Sequence, residues 1–341
     1  MTNTTAPDAA PSATGSTTTG GTDGAKPTVV VLAGGLSHER EVSLKSGRRV
    51  ATALRDAGHE VIESDVNADL VKLLADHRDV VAFPLLHGET GEDGSLREVL
   101  DLLQVRFVGT GPRRCRVAFD KSVATTIVAD AGVRVPRQIA LPHDVFRELG
   151  ASALVAAMAE QVGFPMMVKP SRSGSALGCT KVDSAAELPQ AMVAAYAYGN
   201  VAVIEEFVEG TEVTVAVIDR GEGPVALPAV EIRPESGVYD YTARYTAGAT
   251  RFLCPAELDD QVADACADLA LTVHRSLGLT DLSRTDIIVG ADGPVFLETN
   301  VAPGMTETSA VPIAMEAAGL ELPEACSDLV MAAASRVGER A

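Results

Sequence analysis

Along residues 28–110, unbroken apolar runs alternate with apolar positions at helical spacing, which predicts parallel strands covered by helices. Val29-Val30-Val31-Leu32-Ala33 holds no polar residue, as a strand buried on both faces requires. Val42, Leu44, Val50 and Leu54 then recur at helical spacing, predicting a helix over 43–57 that Gly58 ends. Strands at 60–63 and 80–85, a short helix at 68–75 and a helix at 95–103 continue the βαβ pattern. A helix at 121–131 leads to a Val-Arg-Val-Pro break at 133–136, after which the rhythm changes. The next segment reads as a helix over 143–160 and strands at 165–169, 179–182 and 201–210. Strands at 212–218 and 226–232, a long helix at 258–277 and a last helix at 323–336 follow. The expected class is α/β (α+β): an open parallel α/β domain over 28–122, a central flap domain over 123–209 and a mixed-sheet domain over 210–341.

One further stretch concentrates polar residues on a strand pattern. Residues 284–300 read as two apolar runs joined by Ala291-Asp292-Gly293-Pro294, which is hairpin turn chemistry. Side chains alternate along a strand, so Glu298 and Asn300 share one face and Arg284 and Asp286 share the corresponding face of the partner. Two carboxylates and an amide oxygen are hard ligands suited to Mg²⁺; a solvated polar face is the other reading. Pro303-Gly304 can leave a backbone N–H beside that face, and such a donor suits an oxyanion.

Composition narrows the function classes. The chain has 341 residues, 46% of them hydrophobic, no Trp, a formal net charge of −19 and a pI near 4.7. Such acidity argues against nucleic acid or an anionic membrane surface as partner, since both call for basic patches. Any phosphate must therefore be met by locally placed Lys, Arg and backbone amides. The five cysteines follow no CxxC spacing and suit a reducing compartment. No apolar run reaches the ~18 to 20 residues of a membrane span. Residues 1–27 are rich in Thr, Gly, Ala, Ser and Pro without arginine or an apolar core, which predicts a disordered tail and a cytoplasmic protein.

Several loops carry candidate chemistry. Gly34-Gly35, between strand and helix, is a possible cradle for phosphate or carboxylate or simply a tight turn; it lacks both GxGxxG and GxxxxGK[ST]. The three-glycine loop from His87 to Gly94 leaves the carboxyl end of a strand, where open sheets gather ligands, so His87 and Glu92 should sit beside Glu39. Lys169 ends a buried strand and needs an anion there. The Ser- and Gly-rich loop at 170–178 returns to a second strand as a flap able to close over phosphates. The irregular stretch 234–248 holds three of the five tyrosines.

Taken together, GGLSHEREVSL, HGETGEDG, KPSRSGSALG, EEFVEG, YDYTARY, RTD and ETNVAPGMT resemble, in order, the motifs of the D-alanine–D-alanine ligases of the ATP-grasp superfamily. The resemblance covers 28–335. It implies the ATP-grasp fold, with Mg-ATP between the flap and C-terminal domains, and ADP-forming ligation of two D-alanines through a D-alanyl phosphate for peptidoglycan precursors. By position, Asp286, Glu298 and Asn300 match the ligands of two Mg²⁺ ions, for which Mn²⁺ can substitute. Lys121 and Lys169 match phosphate-binding lysines, Glu205, Glu206, Phe207 and Val208 the adenine segment, and Glu212 the ribose carboxylate. Glu39 matches the counter-ion of the first D-alanine's ammonium, with Ser175 and Tyr245 as its hydrogen-bonding companions. Arg284 and the Gly304 N–H match oxyanion stabilisers, Ser309 the hydroxyl for the second substrate's carboxylate, and His87 a residue near the first subsite. Family members are usually homodimers, which becomes an expectation for this chain.

Departures from the family pattern fall around the closing loops. Arg244 stands where lysine is usual, giving a planar fork in place of a point charge at the nucleotide phosphates. Ser173 replaces a common acidic residue and Ala176 a common serine. These changes keep open a related ligase that joins a different amino or hydroxy acid, whereas the retained Tyr245 favours an amine nucleophile.

Overall fold

The computed structural model describes residues 26–235 and 248–336, together with Met1, Tyr239 and Ala243. Residues 2–25 of the expected tail, along with Arg244 and Tyr245, lie outside the described residues.

Strands β1 (Val29–Ala33), β2 (Val61–Asp65), β3 (Val81–Pro84) and β4 (Arg106–Phe107) form a parallel sheet in the order β2-β1-β3-β4. Helix α1 (Arg40–Asp56) crosses from β1 to β2, and α2 (Leu70–Asp76) from β2 to β3. The short α3 (Glu89–Glu92) and α4 (Ser95–Leu102) follow β3, and every residue of β1 is buried, as its unbroken apolar run requires. Of the expected Val42, Leu44, Val50 and Leu54, helix α1 buries Val50 and Leu54 on its stripe and leaves Val42 and Leu44 half-buried. The stripe runs through Ser43, Ser46, Gly47, Val50, Ala51, Ala53 and Leu54. Small residues win that face because the helix lies close on the sheet: a Cβ on Gly47 would stand 2.5 Å from that of Ala33.

After α5 (Pro112–Phe119) and α6 (Lys121–Asp130), a second sheet is antiparallel in the order β5-β8-β6-β7. Its strands are β5 (Gln138–Pro142), β6 (Met166–Pro170), β7 (Thr180–Val182) and β8 (Val201–Glu206), and the expected flap is the loop between β6 and β7. The single helix expected over 143–160 is two, α7 (His143–Leu149) and α8 (Ala151–Val162), because Gly150 sits between them at φ +85°. Helix α9 (Leu188–Tyr196) lacks a polar face in its sequence that would mark it, since its buried residues are Leu188, Ala191, Met192 and Ala195.

The third sheet runs β12-β11-β9-β13-β14, with β10 beside β9. Its strands are β9 (Thr211–Ile218), β10 (Val225–Ala226), β11 (Val230–Pro234), β12 (Thr250–Leu253), β13 (Leu282–Gly290) and β14 (Gly293–Asn300). The strand expected over 226–232 is thus divided between β10 and β11. Helix α10 (Asp260–Ser276) packs on this sheet, α11 (Ala310–Ala317) follows the hairpin, and α12 (Leu322–Ser335) lies against α1.

Two of the apolar cores join parts of the chain that are distant in sequence. One unites Val29, Val31, Leu54 and Phe83 with Ile218, Met305, Leu329 and Val330, so the parallel sheet and the C-terminal elements share an interior. The other unites Cys115, Ala124 and Val128 with Val213, Ile287 and Phe296, placing α5 and α6 on the third sheet. All five cysteines are free thiols. Among the described residues no helix is long and apolar enough to cross a membrane.

Candidate active site

The hairpin β13–β14 presents its polar face as the alternation predicts. Asp286 stands opposite Glu298 and Arg284 opposite Asn300, with an irregularity in register just after Asp286. Arg284 donates from Nε and Nη2 to the two oxygens of Asp286 at 2.8 and 2.7 Å, and the Thr214 hydroxyl donates to the same carboxylate at 2.7 Å. Burial opposes the Arg284 charge, but Asp286 and then Glu298 outweigh it and raise the guanidinium's pKa. The Asn300 Oδ1 accepts the Ala302 N–H at 2.7 Å, which starts the turn toward Gly304.

Lys121 occupies the first position of α6, whose start is tied to the flap loop. Its backbone N–H donates to the Ser171 carbonyl at 2.9 Å, and the Ser171 hydroxyl donates to the helix-capping Asp120 at 2.6 Å. From that anchored backbone the Lys121 Nζ reaches the Ser173 carbonyl at 2.6 Å and Glu298 at 3.1 Å. The tip of the same loop holds Ser175 and Ala176 at φ 55° and 57°, a left-handed conformation costly for residues with a Cβ. Here it aims the Ser175 hydroxyl at Glu39, to which it donates at 2.5 Å. Glu39 stands at the position just before α1, after the carboxyl end of β1, and Gly88 lies so close that a Cβ there would meet its carboxylate at 3.2 Å.

These residues line one cleft of about 1160 Å³. It brings together Glu39, His87, Lys121, Ser175, Arg284, Asp286, Glu298, Asn300, Gly304 and Ser309, ten of the residues singled out from sequence. Among the described residues the Gly304 N–H meets no acceptor. A Cβ on Gly304 would stand 2.8 Å from the Ser309 hydroxyl, which itself accepts the Thr306 N–H at 3.1 Å. As expected, His87 and Glu92 face Glu39. Burial pulls the His87 imidazole below its usual value, whereas burial and then Glu39 push the Glu92 carboxyl up to about 7 against the Gly88 N–H that it accepts.

Lys169, Glu205, Glu206, Phe207, Val208 and Glu212 are not part of that lining. Lys169 and Glu205, both buried, form a pair at 2.6 Å between β6 and β8, and the nearby Glu298 charge also acts on Lys169. Burial works against the Lys169 ammonium, yet Glu205 and Glu298 leave its pKa raised. Glu206 pairs with Arg137 at 2.7 Å, and the Phe207 ring lies 4.7 Å from the Lys181 ammonium. Val208 packs against the hairpin turn near Gly290, and Glu212 stands opposite Ile288 in the β9–β13 register.

The Gly34-Gly35 cradle serves the chain's own side chains. Gly34 N–H donates to the Ser43 hydroxyl at 2.8 Å and Gly35 N–H to Asp65 at 2.9 Å, so the turn holds an internal carboxylate. Thr214 and Ser46 escaped the sequence reading. Thr214 could have been found as the next inward position after Glu212 on one strand face; Ser46 could have been found as a polar residue three and four positions from Ser43 and Val50 on a buried stripe.

A metal fits this donor set. Among the described residues no three of His, Cys, Asp and Glu stand together as a metal cluster. The hairpin instead offers two carboxylates and an amide oxygen on one cleft wall, the partial set that Mg²⁺ completes with phosphate oxygens and water.

Comparison with known proteins agrees with this architecture. The family described as D-ala D-ala ligase C-terminus matches residues 127–331. The chain is 37% identical over 313 residues to a D-alanine–D-alanine ligase of Pelotomaculum thermopropionicum, covering 92% of this chain and 98% of that one. It is 39% identical over 307 residues to a D-alanine–D-alanine ligase of Anaeromyxobacter dehalogenans, covering 90% and 96%. The crystal structure of VanG, a D-Ala:D-Ser ligase from Enterococcus faecalis, shares the fold with a TM-score of 0.78 at 26% identity over 91% of this chain and 100% of that one. With its cleft built from three sheets, and with relatives that match it over nearly their whole length, the chain belongs to the D-alanine–D-alanine ligase family, whose members use ATP on the ATP-grasp fold.

Proposed function

We propose that this protein joins two D-alanines into D-alanyl-D-alanine at the expense of ATP, as a cytoplasmic, homodimeric enzyme of peptidoglycan precursor synthesis. The observation that carries the reading is the Ser175–Glu39 hydrogen bond, which brings the flap loop onto the helix start in the cleft that also holds Arg284 and the Gly304 N–H. A flap closed on a carboxylate beside two oxyanion donors suits acyl transfer shielded from water.

In this reading the carboxylate of the first D-alanine attacks the γ-phosphorus, ADP leaves, and the second D-alanine's amine attacks the acyl carbon, giving up its proton by way of Ser175 and Tyr245. The tetrahedral intermediate then collapses, breaking the bond to phosphate. Glu39 holds the first substrate's ammonium, and Ser175 with Tyr245 orients that carboxylate. Arg284 and the Gly304 N–H meet the developing oxyanion; one such donor is worth roughly 2.7 to 4 kcal/mol in other enzymes. Ser309 takes the second substrate's carboxylate. Lys121, Lys169 and Arg244 neutralise the phosphates, with adenine at Glu205 to Val208 and ribose at Glu212. Asp286, Glu298 and Asn300 would hold Mg²⁺, which supplies charge neutralisation on the transferring phosphoryl group.

A second reading has a specific basis, since VanG, which shares the fold, is a D-Ala:D-Ser ligase. The deciding experiment measures ATP- and Mg²⁺-dependent phosphate release with D-alanine alone and mixed with D-serine or D-lactate, identifying products by mass. Dipeptide from D-alanine alone is the expected result. Preferential turnover of a mixed pair would move the protein to a specialised ligase, and no phosphate release with any pair would overturn the proposal.

A further inference from the structure

The turn that carries Gly304 is held from outside by side chains that cannot all reach a substrate. Ser46 is 0% exposed on the buried stripe of α1 and is absent from the cleft lining. Its Oγ accepts the Met305 N–H at 3.1 Å and stands 3.4 Å from the His87 Nε2. On the other side of the same ring, His87 Nδ1 lies 2.9 Å from the Ala302 carbonyl. A carbonyl can only accept, so Nδ1 carries the proton and, in the neutral ring, Nε2 is the acceptor for the Ser46 hydroxyl. The direction of every bond is then set: Met305 N–H to Ser46, Ser46 O–H to His87, His87 N–H to Ala302. Arg49, also on α1, adds a donor to the Met305 carbonyl at 3.3 Å.

We infer that Ser46 and His87 form a two-residue strap that fixes the 302–305 turn, making Ser46 a positioning residue for the Gly304 oxyanion donor. The strap grips both flanks of Gly304 and leaves its N–H pointing to no partner among the described residues. It also couples the two substrates' halves of the cleft, because α1 begins just after Glu39 and the turn belongs to the hairpin's continuation. A donor displaced by a fraction of an ångström loses much of its value, because the oxyanion position differs little from that of the ground-state carbonyl. A buried serine hydroxyl with both its roles used is held in one rotamer, which is what a precise support needs.

The inference rests on the proposed function for its catalytic part only, and its test separates the two. In the full chain without substrates, hydrogen exchange followed by mass spectrometry should show faster exchange over 302–306 in Ser46→Ala, with the 171–178 loop unchanged. In the ligase assay the same variant should lose kcat by about 10- to 100-fold, with the KM for ATP within about twofold of the parent. Ser46→Thr, which restores the hydroxyl, should recover slow exchange and most of kcat. If Ser46→Ala does not fold, Ser46→Cys replaces it, and an intermediate loss is expected of its weaker hydrogen bonds. Unchanged exchange over 302–306, or kcat within about twofold of the parent in the folded variant, would overturn the strap. A parent chain that makes no dipeptide would instead overturn the proposed function, leaving the exchange comparison to decide the strap.

Discussion

Glu92 is a buried carboxyl whose proton is set by its surroundings more than by its chemistry. Burial, then Glu39, raises its pKa from 4.5 to about 7, and the Gly88 N–H offsets part of that. A folded-state pKa above the unfolded value means that the native chain holds the proton more tightly. The stabilisation is full below about pH 4.5 and is lost as pH rises through about 7. A shift of this size corresponds to roughly 3 kcal/mol. Glu92→Gln should therefore flatten the pH dependence of Tm between about 4.5 and 7, and a parallel-shifted but equally sloped profile would refute the assignment. Glu298 lies in the opposite situation, part-exposed and paired with Lys121. Glu298→Gln should cut turnover by about 100-fold or more if the carboxylate holds a metal. Titrating Mg²⁺ in the ligase assay should show a raised requirement, and parent-like turnover would remove Glu298 from the metal set.

Strands β6 and β8 meet at Lys169 and Glu205, opposite charges in a sheet interior. Such a pair is weak evidence of stability, because desolvation offsets most of the attraction, but breaking it is costly. Lys169→Met should destabilise by roughly 3–5 kcal/mol, since it strands the Glu205 carboxylate, and Lys169→Met/Glu205→Leu should recover most of that loss. Urea unfolding of the three proteins measures both effects. Activity should stay low in both variants if the two residues serve the nucleotide, so recovered stability without recovered turnover is the expected signature. The hairpin makes the complementary point about elements. Its alternation was readable from Arg284, Asp286, Glu298 and Asn300 because period two leaves few alternatives. The α1 stripe was readable only at Val50 and Leu54, because in its first half close packing selected Ser43, Ser46 and Gly47 over the more apolar Val42 and Leu44.

The whole molecule is closed by a tie between its first and last parts. Asp281, itself at φ 63°, accepts from the Gly109 N–H at 2.6 Å and from Arg336, whose Nη2 also donates to the Phe107 carbonyl at 2.8 Å. Burial raises the Asp281 pKa against the pull of Arg336. Asp281→Ala leaves the buried Gly109 N–H without its acceptor and should cost about 1–3 kcal/mol, read as a lowered urea midpoint; an unchanged midpoint would show that the tie carries no stability. Its effect on turnover should be small, since neither residue lines the cleft. At this scale the division between sequence and structure becomes clear. Apolar periodicity determined the parallel β1, β2 and β3, the hairpin and the long α10, because burying one face or both demands a particular period. Residue types and their order in the motifs determined which side chains could do chemistry. Only the tertiary structure decided that Asp65 fills the Gly34-Gly35 turn and that Ser46 and His87 grip the Gly304 turn. Those contacts depend on how three sheets pack, and packing between distant segments leaves no period in the chain.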